Sequence, residues 1–186
     1  MLNSFFDKYI FTSTLKYTHN NFFLVDIPFM VVPVEMLIAV AGSSDVELHK
    51  KVYATVKQGT KEKFMPRLSG FSTERNKELD FLKTFFMASG WGQIEVIDFN
   101  ADSKRALVVL ESSPFASALR GKATLPVDIF FKGMLAGAFS VLFKEDIDCV
   151  ETECVALNNE RCKFVLKPQT EFDFSNKMVQ DQLHVE

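Results

Sequence analysis

Apolar residues recur along the chain with two periods, and the changes of period mark its elements. The longest apolar run, Pro126 to Phe143, predicts a helix buried nearly all round, with Ile129, Phe130, Phe131, Met134, Leu135, Phe139 and Leu142 on several faces. Pro126 suits its first turn, where a missing N–H costs nothing. Gly133, Ala136, Gly137 and Ser140 fall at i, i+3, i+4 and i+7, so they share one face that admits a second backbone or a ligand at close range. After it, Cys149 to Val155 and Cys162 to Leu166 predict a β-hairpin. Its turn, Leu157 to Glu160, contains two asparagines, which tolerate positive φ.

Upstream, Phe22 to Val32 alternates through Phe23, Val25, Ile27, Phe29 and Val31 and predicts one strand, which Pro28 places at an edge or bulge. Met1 to Asn21 before it suits a short helix or an arm. Pro33 opens a helix over Val34 to Ala41 that Gly42 closes. Asp45 reads as the N-cap of a longer helix, Val46 to Phe64, with Val52, Val56 and Gly59 inward, followed by a loop from Met65 to Ser72. Glu74 to Ser89 is an amphipathic helix with Leu79, Leu82, Phe85 and Phe86 inward and Gly90 at its end. Trp91 to Phe99 and Lys104 to Glu111 make a hairpin joined by Asn100 to Ser103, and Leu107 to Leu110, apolar on both faces, predicts a central strand. Ser112 to Leu125 is a connector with a short helix at Pro114 to Leu119, and Gln169 to Glu186 is a polar tail after Pro168. Helices and strands are grouped rather than alternating, which predicts an α+β fold: an antiparallel sheet packed with helices.

With 186 residues the chain is long enough for one sizeable core. Its net charge of −3 argues against general nucleic-acid binding, which needs a concentrated basic surface. Twenty phenylalanines against three tyrosines imply either a Phe-rich core or rings that line an apolar cavity. No basic region followed by an apolar core marks a signal peptide, and Phe22 to Gly42 is too interrupted by Asp26, Pro28, Pro33 and Glu35 to span a membrane. These features predict a cytoplasmic protein whose three cysteines serve as metal ligands or free thiols rather than disulfides. No Gly-x-Gly-x-x-Gly stretch or acid–base pair stands out, so catalysis by this chain alone is not expected.

Cys154 and Cys162, seven residues apart, sit across from each other near the hairpin's end. Cross-strand Cβ atoms lie about 4.5–5.5 Å apart, close enough to share a metal or to meet as two core thiols. In a regular strand Cys149 and Glu151 share one face while Cys154 takes the other. These groups converge only if the strand bulges between Glu151 and Cys154.

Pro126-Val-Asp, Gly133-x3-Gly137, Glu151-x2-Cys154 and Cys162-x-Phe164, with Trp91-Gly92 and Ser113-Pro-Phe115, together resemble the 4-vinyl reductase domain family. Its members occur as archaeal stand-alone proteins, in tetrapyrrole biosynthesis, and as sensory domains of bacterial regulators responding to phenols and toluenes; small subunits of the vesicle-tethering transport protein particle are distant kin. The resemblance implies a structural zinc held by Asp128, Glu151, Cys154 and Cys162. Asp128 stands where metal-binding relatives carry a cysteine, and Cys149 is an alternative fourth ligand. It also implies a ligand between sheet and helix, near Trp91, Leu107, Val109, Phe131, Met134, Leu135, Ala138 and Cys149. The relatives' polar handle for a phenolic hydroxyl has no evident counterpart, and His19, His49 and His184 fall outside the core of the match. The division implied is residues 1–70 as N-terminal strand and helices serving dimerisation, 71–168 as ligand-binding core, and 169–186 as tail. The expected function is a homodimeric sensor of an apolar or aromatic molecule, passing its signal to an unidentified output protein. The alternatives are an interaction or scaffold module and an accessory to tetrapyrrole vinyl reduction.

Overall fold

A computed structural model describes residues 15–24, 27–68 and 75–184. It has two antiparallel sheets. The smaller runs β1 (Leu15–Thr18), β2 (Asn21–Leu24), β3 (Ile27–Phe29) in that order. The larger is built from β4 (Gln93–Asn100), β5 (Arg105–Glu111), β6 (Asp148–Glu153) and β7 (Cys162–Lys167), in the order β4-β5-β7-β6. The α+β architecture expected from the grouping of elements is therefore the one observed, and β5 is central, with Val108, Val109 and Leu110 buried.

The single strand expected over Phe22 to Val32 is instead two. Asn21–Leu24 and Ile27–Phe29 pair antiparallel with Phe22 opposite Phe29, and residues 30–33 belong to no strand. Alternation persists through both arms of a tight hairpin, so the pattern does not reveal the reversal. Residues 1–14, which cover most of the expected N-terminal arm, lie outside the described residues, as do Val25, Asp26 and the proposed start at Thr73 and Glu74.

Helix α1 (Val34–Ala41) is followed by α2 (Val46–Gly59), which Asp45 caps by accepting from the N–H groups of Glu47 and Leu48 at 3.0 and 3.1 Å. The inward residues of α2 are His49 and Tyr53; Val52 and Val56 are half-buried and Gly59 is exposed. The expected stripe is thus off by part of a turn. From Thr60 to Phe64 the helix widens into a π-helical stretch, then continues as α3 (Met65–Leu68), where a loop was expected. Met65 is buried, which explains the continuation. After α4 (Arg75–Ala88) and the β4–β5 hairpin comes α5 (Pro114–Ala118), capped by Ser113, and then α6 (Ile129–Phe143).

Helix α6 organises the core. Phe131 meets Phe86 of α4 and Phe164 of β7 edge-on at 5.2 and 5.3 Å between ring centres. Its small-residue face receives a backbone. A Cβ at Gly133 would lie 2.9 Å from the Tyr53 carbonyl oxygen, and one at Gly137 would lie 2.5 Å from that of Lys57 and 2.7 Å from Thr60 Cβ. The π-helical stretch of the neighbour begins at this crossing. Ser140 has a third use: its hydroxyl donates to Ala136 O at 2.7 Å and accepts from Ile147 N–H at 2.9 Å, tying the helix to the approach to β6.

The tail is polar in composition but folds back. After Pro168 and a 3-10 turn at Gln169–Glu171, helix α7 (Lys177–Gln180) follows; Phe172, Val179 and Leu183 are buried in the core, with Gln182 buried beside them. Three apolar residues spread over a polar stretch carry too little periodicity to announce a packed segment.

Candidate metal centre

Asp128 stands at the N-cap position of α6, Glu151 within β6, Cys154 just past its end, and Cys162 at the start of β7. A bulge shifts the β6–β7 register between Glu151 and Glu153, and it brings the Glu151 carboxylate and Cys154 thiol to one side. One ligand atom from each of Asp128, Glu151, Cys154 and Cys162 lies within 4.8 Å of all the others, and all four residues are buried. Cys149 does not join this group. It is fully buried on β6, where its N–H donates to the Tyr53 hydroxyl at 3.0 Å.

Each member is held from outside the cluster. The Ser113 hydroxyl donates to Asp128 Oδ1 at 2.5 Å while accepting from Ala116 N–H, so the cap of α5 also orients Asp128. The Asp128 N–H donates to Glu151 Oε2 at 3.2 Å. Asn159 Oδ1 accepts from Cys154 N–H at 2.9 Å, and Val155 N–H donates to Cys162 Sγ at 3.4 Å. Among the described residues, two oxygens of the cluster remain without a hydrogen bond: Asp128 Oδ2 and Glu151 Oε1. A buried carboxylate oxygen without a partner costs free energy of about 1–3 kcal/mol or more, and here two of them face two thiols.

The electrostatics point the same way. Burial pushes the Glu151 carboxyl well above the usual carboxylate range, and the neighbouring Asp128 charge adds to it. Burial also raises Asp128. Cys154, receiving a hydrogen bond from Cys162, is lowered to about 7, while the same contact followed by burial raises Cys162. Four groups that each lose a proton to become anions are thus packed together without a cation among them. Two thiols and two carboxylates, fully buried and converging, match the ligand types and the closed four-ligand geometry of a structural zinc site. The residues fit the ion.

The sequence reading passed over two buried polar residues beside this cluster. Lys132 of α6 is 2% exposed, its Nζ donates to Gln182 Oε1 at 3.1 Å, and it sits 4.6 Å over the Tyr53 ring. Burial lowers it to about 8, against the opposing pull of Cys149, Glu151 and Asp148. A lone lysine in an otherwise apolar helix was the available signal. Gln182, in the tail, had none. His49 is also buried, with Nε2 unpartnered among the described residues.

The residues expected around an apolar ligand divide into two groups. Val109, Phe131, Leu135, Ala138 and Cys149 are buried in the core, and Leu107 and Met134 are half-buried. Trp91 stands apart, its ring 5.9 Å from that of Phe115. Both line an open apolar cleft of about 490 Å³, with Phe22, Phe29, Met30 and Val31 on its other side.

Residues 108–168 match the 4-vinyl reductase domain family. No curated protein matches the chain. Among solved structures, the fold is similar to the phenol-responsive sensory domain of the transcription activator PoxR with phenol, at 14% identity over 98% of each chain and a TM-score of 0.75. The chain is also similar to a vinyl-4-reductase family protein from Methanocaldococcus jannaschii, at 20% identity over 75% of this chain and 96% of that one, TM-score 0.47. A third is trafficking protein particle complex subunit 3 from Naegleria fowleri, covalently bound to palmitic acid, at 17% identity over 72% and 93%, TM-score 0.49. Asp128, Glu151, Cys154 and Cys162 all fall inside the matched stretch, and that stretch is a 4-vinyl reductase domain.

Proposed function

We propose that this protein is a sensor-type domain that encloses a small apolar or aromatic molecule, with a structural zinc held by Asp128, Glu151, Cys154 and Cys162. The observation that carries the sensor reading is the extent of the fold likeness. The whole chain, not the family-matched stretch alone, follows the fold of a sensory domain that responds to phenol. The ligand would lie between the larger sheet and α6, near Leu107, Val109, Phe131, Met134, Leu135, Ala138 and Cys149, with Trp91 at the edge. Enclosure there needs side chains to give way, because Phe131 is wedged between Phe86 and Phe164. A hydrocarbon suits these walls better than a phenol, since no charged or hydroxyl-bearing side chain stands among those residues.

The zinc would be structural: four protein ligands close its shell and leave no position for a substrate or water. Its contribution is to neutralise the buried anions and to clamp the end of the β6–β7 hairpin to the start of α6.

We further infer a cytoplasmic homodimer acting on an output partner. Met30, Val31 and Met36 are 76%, 71% and 70% exposed beside the apolar cleft, more than a lone surface needs. No helix among the described residues is long and apolar enough to cross a membrane.

Thermal shift and calorimetric titration of the zinc-loaded protein with toluene, phenol and a short alkane test the reading. Saturable binding of toluene or the alkane, tighter than phenol, is the expected result. A protein whose melting temperature is unmoved by all three is not a sensor of this class.

A further inference from the structure

The larger sheet ends at β6, whose outer edge has no strand beside it among the described residues. At Glu151 that edge is nonetheless satisfied. The Glu151 N–H donates to Gln182 Oε1 at 2.9 Å, and Gln182 Nε2 donates to Glu151 O at 2.8 Å. One carboxamide thus fills the place of a paired strand, at the very residue whose side chain enters the metal cluster. Gln182 is itself held: Lys132 Nζ donates to its Oε1 at 3.1 Å and to its main-chain oxygen at 3.4 Å. Val179 and Leu183 on either side are 7% and 1% exposed, so the segment is anchored where it delivers this contact.

We propose that Gln182 is a positioning residue for the metal cluster, and that it couples occupation of the cluster to docking of residues 169–184 on the edge of β6. This rests on the zinc reading above but concerns a part of the chain beyond the family-matched stretch. The argument is geometric. Glu151 sits beside the β6 bulge, where the ladder to β7 is irregular, so its main chain is less restrained by the sheet than its neighbours are. Gln182 grips both main-chain polar groups of that residue. With them fixed, Oε2 reaches Asp128 N–H and Oε1 is left free for an ion. Without Gln182, Glu151 N–H and C=O are unpaired at a buried edge, and the bulge is free to relax toward another partner. Partners that orient a ligand from outside the coordination shell are commonly worth about 10–100-fold in metal affinity. The coupling is reciprocal: an ion that fixes Glu151 also fixes the groups to which Gln182 docks, so zinc holds the C-terminal segment down.

The test is competition of metal-stripped protein against a chromophoric chelator for zinc, paired with hydrogen exchange over residues 177–184 with and without zinc. Wild-type protein is measured first; if it takes up no zinc, the metal reading falls and this inference with it. Given uptake, Gln182→Ala is expected to weaken zinc about 10–100-fold. Gln182→Glu keeps an oxygen toward Lys132 but, ionised, has no hydrogen to give to Glu151 O, so a smaller loss is expected. Zinc should raise protection of the segment in wild type and not in Gln182→Ala. Wild-type affinity in Gln182→Ala, with circular dichroism confirming its fold, overturns the positioning role and leaves the zinc site standing. Should Gln182→Ala fail to fold, Gln182→Glu decides by the same readout, and undiminished affinity there overturns it.

Discussion

Strand β6 meets buried carboxylates at both ends, and the two ends are treated in opposite ways. At its start, Asp148 accepts from the Tyr53 hydroxyl at 2.6 Å and from Lys57 Nζ at 2.8 Å. Lys57 and Lys61 also reach Asp146, at 2.7 and 2.6 Å. Here acids meet lysines and the network closes on itself. Toward its other end, Glu151 faces Asp128 and two thiols, and two carboxylate oxygens go unbonded among the described residues. The lysine beside them, Lys132, is engaged by Gln182. The comparison separates a structural ion-pair network from a site built for a guest: the first is complete as folded, while the second is complete only with a cation or protons from outside.

The strongest way to sharpen that contrast is to remove the metal. Chelation of the zinc-loaded protein should lower stability by about 4 kcal/mol, the linkage expected for an ion present at roughly a thousand times its dissociation constant. Cys162→Ser should reproduce most of that loss and make the protein indifferent to chelator. Thermal melts with and without chelator read both.

Next in size is Asp148→Ala, which leaves Lys57 and the Tyr53 hydroxyl facing each other without their shared acceptor. A loss of about 3 kcal/mol is expected from breaking a largely buried pair on one side. The loss should be the same with and without zinc, and a zinc-dependent loss would join the two ends that the comparison separates. Chemical denaturation in both conditions measures it.

The smallest effect is on pH dependence. Glu151 is raised in the folded protein, so in the metal-free state its favourable contribution is full below the ordinary carboxylate value, about 4, and is lost as pH rises toward its folded value. Asp146 behaves oppositely. Burial raises it, but hydrogen bonds from Lys57 and Lys61 outweigh burial and hold it low, so its contribution is present at neutral pH and lost in acid. Metal-free protein should therefore lose stability from about pH 5 to about pH 8, and zinc-loaded protein should not, because the ion keeps Glu151 charged and paired. Urea midpoints at the two pH values check this.

The two ends of β6 also differ in how far the sequence disclosed them. Cys154 and Cys162 were legible from hairpin spacing alone, because a two-residue period fixes which positions face across a turn. The need for a bulge after Glu151 followed from the same period, and the bulge is present. Asp128 came only through family resemblance, since nothing local ties an N-terminal helix residue to a hairpin two elements away. The Lys57–Asp148 network was not legible: its partners are 91 residues apart and each looks like an ordinary surface charge. The spine of small residues was visible, but what fills it was not, because a backbone and a ligand ask for the same absence of side chains. Gln182 shows the limit most plainly. Its role is to stand in for a missing strand, and an isolated carboxamide in a polar tail has no pattern to betray that.

Native mass spectrometry of gently purified protein, expressed with zinc available and never exposed to chelator, tests the central claim most directly. One zinc per chain, lost in Cys162→Ser and retained in Asp148→Ala, is the predicted result. A metal-free wild-type chain that folds with full stability would contradict it.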